Sequence, residues 1–159
     1  MTHQNTRHSG RPLPNFLLVG APKCGTTSLY YYLDQHPEIY MSPAKEPHFF
    51  STVHPDEEKI RRQMYPHPLS NFIRDFGKYQ ELFSGVKEEK AIGEGSTSYL
   101  YYGDLSIRNI QKFVPNWKQL KILIVVRNPI EASYSHYLMY HATGKDPLTF
   151  EEAFNLEAQ

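Results

Sequence analysis

The sequence of 159 residues predicts an α/β fold, a parallel sheet flanked by helices. Two apolar runs, at residues 16–20 and 121–126, are continuous instead of alternating, which is typical of strands buried on both faces. Each run leads into a stretch with helical spacing, and strands that alternate with helices form parallel sheets. A chain of this length makes about one domain and can bury a substantial core.

The first half of the chain predicts one clear helix after the first strand. Residues 26–35 form this helix, which ends before Pro37 because the residue that precedes a proline avoids helical angles. Residues 39–67 are rich in proline, histidine and aromatic residues, with a charged stretch at 56–62, and they predict loops around one short helix. Residues 72–83 predict a helix only in part.

The second half of the chain predicts two strands and two helices. Residues 90–93 suit a short strand, and residues 104–113 have the spacing of a helix, with Asp104 as its cap. Residues 121–126 are the clearest strand of the chain and should lie in a sheet that is covered on both faces. A helix follows at residues 129–141, where a proline suits the first turn.

The two ends of the chain differ in character. Residues 1–14 are polar and predict a flexible leader, so that the domain itself covers residues 15–159. At the other end, residues 149–152 form a capping box, and Phe150 and Phe154 lie four apart on one helical face. The sequence then stops without a glycine or proline signal. We therefore expect a domain that is incomplete at its carboxyl end.

Composition excludes several classes of function. Seventeen basic and seventeen acidic residues cancel, so no overall field attracts the chain to nucleic acid or to an anionic membrane. The single cysteine, Cys24, rules out an internal disulfide framework, and neither it nor the histidines have the spacing of a metal site. No apolar run is long enough to span a bilayer, and no secretory signal is recognisable. We expect a cytoplasmic protein without a metal, and its oligomeric state stays open.

A glycine-containing turn between the first strand and the first helix has the chemistry of a phosphate site. Gly20 and Gly25 let the backbone approach an anion, and the helix start directs free N–H groups toward it. Lys23 adds a positive charge, and three hydroxyls follow at Thr26, Thr27 and Ser28. The turn is P-loop-like, but the lysine of G-x-x-x-x-G-K-[ST] is displaced into the loop. The alternative is an ordinary turn with a solvated lysine.

This turn resembles the 5′-phosphosulfate-binding loop of sulfotransferases that depend on 3′-phosphoadenosine 5′-phosphosulfate (PAPS), whose form is close to P-K-x-G-T-T-x-L. The resemblance implies that Lys23 contacts the oxygen bridging phosphate and sulfate and that the Gly-Thr-Thr segment holds the 5′-phosphate. The binding loop then comprises Lys23, Cys24, Gly25, Thr26, Thr27 and Ser28. Cys24 stands at the variable position, so its side chain is assigned no role.

A second anion element follows the strand at 121–126. Arg127 stands at the carboxyl end of this strand, where open α/β sheets bind ligands, and its planar guanidinium suits a phosphate. Ser135 follows eight residues later, about two turns into the next helix. The pattern is similar to the 3′-phosphate-binding element of the same family. Taken singly, Arg127 could be part of a strand-end ion pair and Ser135 an ordinary helix serine.

The segment E-x-x-F-F from Glu46 to Phe50 resembles the one that carries the catalytic base in glycan-type sulfotransferases. A carboxylate beside an aromatic pair is partly desolvated, which suits a group that must take a proton. We therefore predict Glu46 as the base, with His48 as the alternative. A surface ion pair of Glu46 with Lys45 or with a nearby arginine is the competing interpretation.

The stretch Glu94-Gly95-Ser96-Thr97-Ser98-Tyr99 looks like the E-K-S-P-x-Y stretch that lines the substrate cleft in the family. Gly95 replaces the lysine and Thr97 replaces the proline. The resemblance therefore implies no lysine contact to an acidic glycan, and an acceptor less anionic than heparan sulfate.

The resemblance, which covers residues from about 16 to 140, implies an enzyme that transfers a sulfuryl group from PAPS to a hydroxyl or amine of a carbohydrate or small molecule. Two rivals stay open. A P-loop nucleotide kinase or triphosphatase is disfavoured by the displaced lysine and by a strand that ends in Arg127, where such enzymes place an aspartate for magnesium. A non-catalytic nucleotide-binding fragment is the other, since the chain should be incomplete.

Overall fold

A computed structural model describes residue 10 and residues 12–53, 72–142, 144 and 148–157. Its four strands are β1 (Phe16–Gly20), β2 (Ile39–Met41), β3 (Ala91–Gly95) and β4 (Lys121–Ile124). The helices are α1 (Thr26–Asp34), α2 (Phe49–Thr52), α3 (Phe76–Glu81), α4 (Ser98–Tyr101), α5 (Gly103–Phe113), α6 (Pro129–His141) and α7 (Phe150–Glu157), with a 3₁₀ turn at Trp117–Gln119. The fold is α/β, as the sequence predicts.

The strands form one parallel sheet in the order β2-β3-β1-β4. Because all four strands are parallel, their carboxyl ends lie along the same edge of the sheet. Parallel strands are joined by crossover connections, so each carboxyl end leads into a loop at this edge. Such loops are where open α/β sheets bind their ligands.

The two faces of the sheet are covered by different helices. On one face, Leu17 and Val19 of β1 pack with Phe49, Phe50 and Tyr79 in the larger core. On the opposite face, Phe16 and Leu18 pack with Tyr30 of α1. This alternation along a single strand follows from the two-residue period of a strand.

One glycine of the sheet is required by packing. A Cβ at Gly93 would lie 2.1 Å from the Phe16 ring. The ring therefore occupies the space that a side chain on β3 would need, and it closes the smaller core over the sheet.

The strand β4 is more exposed than its sequence predicts. It lies at the edge of the sheet instead of inside it, and Ile122 and Ile124 are 48% and 51% exposed. The expectation of a strand covered on both faces is therefore wrong for the described residues. The continuous β-branched run was a correct signal for a strand, because it reflects backbone preference, but it does not determine how many neighbours that strand has.

Helix boundaries agree with the sequence in most places. The helices predicted at 26–35, 104–113 and 129–141 are observed as α1, α5 and α6, each within about one residue. The capping box is also present, since Thr149 Oγ1 accepts from the Glu152 N–H at 3.3 Å while the Glu152 carboxylate accepts from the Thr149 N–H at 2.8 Å.

Three details of the prediction are wrong or lie outside the described residues. The strand β2 falls in a region predicted as loops around a short helix, although that short helix is observed as α2. Asp104 is not the cap of α5, because the helix begins one residue earlier and Asp104 lies in its first turn. The charged stretch at 56–62 and most of the leader lie outside the described residues. Within the described parts of the chain, no helix has the length and apolarity to cross a membrane.

Candidate active site

Four segments that the sequence singled out meet at the carboxyl edge of the sheet. The glycine-containing turn follows β1, and the segment with Glu46 follows β2. The stretch that begins in Glu94 ends β3, and Arg127 follows β4. The fold therefore collects, along a single edge, residues that lie up to about a hundred positions apart in the sequence.

In the turn after β1, Gly25 and Lys23 have left-handed backbone conformations. Gly25 caps α1 with φ of 90°, and Lys23 has φ of 61°. No side chain caps this helix start, so its first N–H groups face the turn. Within the part of the chain that the structure describes, no ion pair involves Lys23. The turn thus combines a helix start with a free cation, the composition of an anion site.

The hydroxyls of the turn differ in exposure. Thr26 is buried at the first position of α1, whereas Thr27 and Ser28 are exposed. Cys24, at the variable position, is half-buried and is a free thiol. The predicted residues thus lie together where the turn passes into α1, and two of the three hydroxyl-bearing residues are exposed.

The end of β4 is joined to this turn by backbone hydrogen bonds. The Ala21 N–H donates to the Val125 carbonyl, and the Val125 N–H donates to the Gly20 carbonyl, both at 2.8 Å. Arg127 follows two residues later. Its backbone therefore lies on the β4 side of the turn.

Arg127 and Ser135 are both accessible. The Arg127 Nε donates to the Glu131 carboxylate at 2.8 Å, which is the strand-end ion pair that the sequence left open. Both partners are about half exposed, so the pair contributes little to stability and the guanidinium can exchange partners at small cost. Ser135 is half-buried in α6, whose start is capped by Asn128.

Glu46 is anchored to the loop that follows β3. Its N–H donates to the Gly95 carbonyl at 2.9 Å, and its carboxylate accepts from the Thr97 N–H at 2.9 Å. The Thr97 hydroxyl donates to the same carboxylate at 3.3 Å, and Lys45 forms an ion pair with it at 3.1 Å. The side chain stays 26% exposed. The competing interpretation, a pair with Lys45, is therefore observed together with an ordered and accessible carboxylate.

His48 lies next to this carboxylate. Its Nε2 is 3.6 Å from the Glu46 Oε2, and its Nδ1 is 2.7 Å from the Ser98 hydroxyl. The Ser98 hydroxyl in turn contacts the Ser51 hydroxyl at 2.7 Å. The contact of Nδ1 with Ser98 thus orients the imidazole so that Nε2 is directed to Glu46. The two candidate bases are therefore direct neighbours.

A second carboxylate, Glu94, lies beneath these residues and is fully buried. It accepts hydrogen bonds from the hydroxyls of Tyr79 at 3.1 Å, Tyr99 at 2.6 Å and Ser96 at 3.0 Å. The pKa of Glu94 is raised to about 7: burial raises it most, the three hydroxyl donors lower it, and the charge of Glu46 makes a smaller contribution that raises it.

Most residues of the stretch that begins in Glu94 are buried beneath Glu46 and His48. Glu94, Ser96 and Tyr99 are buried, whereas Thr97 and Ser98 are half-buried and contact Glu46 and His48. The resemblance implied that this stretch lines the substrate cleft. The buried Ser96 and Tyr99 donate to Glu94, and sequence reasoning did not identify this buried network. The signal available was a glutamate inside an otherwise apolar strand, followed two and five residues later by hydroxyl side chains.

Among the described residues, no group of histidine, cysteine, aspartate or glutamate side chains could hold a metal ion. A separate cavity lined by Pro14, Asn15, Val114 and Leu120 lies at the opposite edge of the sheet, where β1 and β4 begin. None of the candidate site residues named above lines this cavity.

Comparisons with known proteins agree with this geometry. A family model described as "Sulfotransferase domain" matches residues 13–159. Carbohydrate sulfotransferase 15 of Rattus norvegicus is 30% identical over 179 residues, covering 96% of this chain and 32% of the relative. The bifunctional heparan sulfate N-deacetylase/N-sulfotransferase 3 of Homo sapiens is 29% identical over 145 residues, covering 89% of this chain and 14% of the relative.

A solved structure is similar as well. The crystal structure of a sulfotransferase from Alicyclobacillus acidocaldarius aligns with a TM-score of 0.70 at 38% identity, over 89% of this chain and 55% of that chain. The chain therefore spans about a third of the length of the rat relative and about half of the solved one.

Proposed function

The chain belongs to the sulfotransferase domain family, and on this premise we propose that it transfers a sulfuryl group from PAPS to a hydroxyl or amine of an acceptor. The observation that carries the proposal is the strand order β2-β3-β1-β4. Along the carboxyl edge, this order gives the sequence Glu46, the stretch after β3, the Lys23 turn and Arg127.

That linear arrangement matches the shape of the donor. Neighbouring strands are about 4.8 Å apart, so the Lys23 turn is separated from the β4 side by about one strand spacing and from the β2 side by about two. When the 5′-phosphosulfate group of PAPS lies at the Lys23 turn, the 3′-phosphate of the same molecule can lie on the side of Arg127 and Ser135. The sulfate lies on the other side, where a base is needed. Glu46 occupies that side.

In the proposed reaction, Glu46 takes the proton of the acceptor O–H or N–H as the electron pair of that oxygen or nitrogen forms a bond to sulfur. The bond between sulfur and the bridging oxygen breaks, and its electron pair stays on the 5′-phosphate. Lys23 stabilises the charge that develops there, and adenosine 3′,5′-bisphosphate leaves. Gly25, Thr26 and Thr27 hold the 5′-phosphate. Positioning and charge stabilisation supply most of the catalysis in this scheme.

The acceptor is proposed to be a carbohydrate or a small molecule. The names of the rat and human relatives support the carbohydrate class. Gly95 and Thr97 leave the stretch after β3 without a lysine, so we propose an acceptor that is less anionic than heparan sulfate. No step of the scheme is assigned to a metal.

The competing function, a nucleotide kinase or triphosphatase, needs a carboxylate that faces magnesium. The carboxylate that ends β3, Glu94, is fully buried and bonded to three hydroxyls. The strand β4 is followed by Arg127, which suits an anion. Both observations favour sulfuryl transfer over magnesium-dependent phosphoryl transfer.

Calorimetry with two nucleotides tests the proposal. We expect adenosine 3′,5′-bisphosphate to bind without magnesium and at least about tenfold more tightly than ATP, a difference of about 1.4 kcal/mol. Equal affinity, or a magnesium requirement, would contradict the proposal. Binding of the bisphosphate without any turnover of PAPS would leave a nucleotide-binding function without catalysis.

Lys23→Ala is the matching substitution. It should weaken bisphosphate binding while leaving the midpoint of thermal unfolding nearly unchanged, because a loop lysine without an ion pair contributes little to packing. Lys90→Ala is the control, since Lys90 lies at the opposite edge of the sheet in an exposed pair with Glu38. A large loss of thermal stability in Lys23→Ala alone would make Lys23 a structural residue.

A further inference from the structure

The turn that carries Glu46 and His48 has an unfavourable backbone conformation. Glu46 has φ of 59° and His48 has φ of 55°, and both are residues with a Cβ. The left-handed region costs such residues about 1–2 kcal/mol each. Two such residues in a segment of three persist only where the surroundings hold them in place.

Three hydrogen bonds attach backbone N–H groups of residues 46–50 to residues 95–99. The Glu46 N–H donates to the Gly95 carbonyl at 2.9 Å. The His48 N–H donates to the Ser96 hydroxyl at 3.1 Å, and the Phe50 N–H donates to the Tyr99 hydroxyl at 3.4 Å. Every second N–H group from Glu46 to Phe50 therefore donates a hydrogen bond to residues 95–99, and two of the three acceptors are side-chain hydroxyls.

Both hydroxyls are oriented by the same carboxylate. Ser96 donates to Glu94 Oε2 at 3.0 Å, and Tyr99 donates to Glu94 Oε1 at 2.6 Å. A hydroxyl whose proton is engaged by a carboxylate presents its lone pairs to its other neighbours. The carboxylate of Glu94 thus determines how both hydroxyls receive the N–H groups of the turn.

We propose that Glu94 is a positioning residue for sulfuryl transfer: through Ser96 and Tyr99 it holds the left-handed turn in which Glu46 and His48 face the acceptor. This inference rests on the function proposed above. Glu94 is not itself a catalytic residue, because it is fully buried and cannot touch the acceptor. A buried carboxylate is costly for the fold. Because Glu94 lies directly beneath the candidate base, we infer that the free-energy cost of its burial is offset by its role in the geometry of the site.

A matched pair of tyrosines separates positioning from simple packing. Tyr79 and Tyr99 are both buried, and both donate to Glu94 Oε1, but of these two only the Tyr99 hydroxyl accepts from the turn. Tyr99→Phe should accelerate hydrogen exchange of the Phe50 amide at least about tenfold, measured by NMR, and Tyr79→Phe should leave it unchanged. Ser96→Ala should have the corresponding effect on the His48 amide.

Turnover gives the second measurement. Tyr99→Phe and Ser96→Ala should lower kcat for PAPS-dependent transfer by about tenfold or more, without a change in the affinity for adenosine 3′,5′-bisphosphate. Tyr79→Phe should retain the wild-type kcat. Glu94→Gln keeps the shape of the side chain but leaves one acceptor oxygen where the carboxyl group accepts through both, so it should accelerate exchange of at least one of the two amides and lower kcat.

The outcomes distinguish this inference from the proposed function. Wild-type exchange and kcat in Glu94→Gln would overturn the positioning role, as would equal effects of Tyr79→Phe and Tyr99→Phe. Failure of the wild-type chain to bind the bisphosphate would instead overturn the proposed function. The exchange rates, which need no substrate, would still decide whether Glu94 holds the turn.

Discussion

Glu46 combines an accessible carboxylate with an unusually well-anchored backbone. The Thr97 N–H and hydroxyl, Lys45 and His48 all contact its carboxylate, yet about a quarter of the side chain is exposed. A base must be held at a defined position and still reach its substrate. At the level of the single residue, this arrangement favours Glu46 over His48, whose imidazole is less exposed and oriented by Ser98.

Glu46→Gln tests this assignment directly. The amide keeps the shape of the carboxylate but cannot take a proton, so turnover should fall by about a hundredfold or more while nucleotide affinity is kept. Glu38→Gln is the control, because Glu38 makes an exposed pair with Lys90 and lies before β2. Wild-type turnover in Glu46→Gln, together with a loss in His48→Asn, would transfer the role of base to His48.

Glu94 gives a prediction about stability and pH. Burial raises the pKa of its carboxyl from 4.5 to about 7, so the folded state holds this proton more tightly than the unfolded state does. The stabilising contribution is fully present below the unfolded pKa and is lost as the pH rises through the folded pKa. The free energy of unfolding, relative to Glu94→Gln, should therefore fall by about 3 kcal/mol between about pH 4 and pH 8.

Urea denaturation of both chains at several pH values measures this difference. The glutamine variant does not titrate at this position, so titrating groups that do not interact with Glu94 cancel in the comparison. A difference that is constant across the range, or one that grows in favour of the wild type as the pH rises, would contradict the raised pKa.

At the level of the elements, the β1–α1 connection depends on the left-handed conformation of Gly25. This residue has φ of 90°, and a Cβ added to it would meet nothing within 4 Å. The requirement for glycine is therefore conformational and not steric. Gly103, at the start of α5, also has open space, but its φ does not lie in the left-handed range. The two glycines therefore have similar open space and differ in whether their backbone is left-handed.

Gly25→Ala should destabilise the fold by about 1 kcal/mol or more and weaken bisphosphate binding, because an alanine resists the left-handed region. Gly103→Ala should be neutral or stabilise the fold by about 0.5 kcal/mol, since it lowers the entropy of the unfolded chain. Thermal unfolding and calorimetry measure both effects. Equal behaviour of the two variants would show that the turn does not depend on the conformation of Gly25.

At the level of the whole molecule, the proposed donor bridges the loops after two neighbouring strands. The turn after β1 and the segment after β4 are already joined by the hydrogen bonds of Ala21 and Val125. A ligand that contacts both loops binds only the folded chain. It therefore stabilises the whole molecule by mass action, by about 3 kcal/mol at a hundredfold excess over its Kd.

Adenosine 3′,5′-bisphosphate should consequently raise the midpoint of thermal unfolding more than 5′-AMP does at the same concentration, because 5′-AMP lacks the 3′-phosphate. Arg127→Ala should remove this difference at little cost to the free chain, since the pair of Arg127 with Glu131 is exposed. If both nucleotides gave the same shift in the wild-type chain, Arg127 and Ser135 would not form a 3′-phosphate site.

The sequence by itself determined the features that depend on near neighbours. The turn from Gly20 to Ser28, the boundaries of α1, α5 and α6, and the capping box of Thr149 all follow from contacts within a few residues. Glycine, proline and short polar side chains restrict the backbone locally. These features could therefore be predicted one segment at a time, and so could the fold class, which follows from the order of strands and helices.

The tertiary structure alone decided which of these segments meet. The contact between Glu46 and Thr97 joins residues 51 apart, and that between His48 and Ser98 joins residues 50 apart. The strand order, the burial of Glu94 and the edge position of β4 likewise depend on the packing of the whole sheet. No local pattern specifies such pairings, because a strand's own residues favour extended backbone without selecting its neighbours. The sequence thus supplied the candidate residues, and the packing of the sheet brought Glu46, Lys23 and Arg127 to one edge.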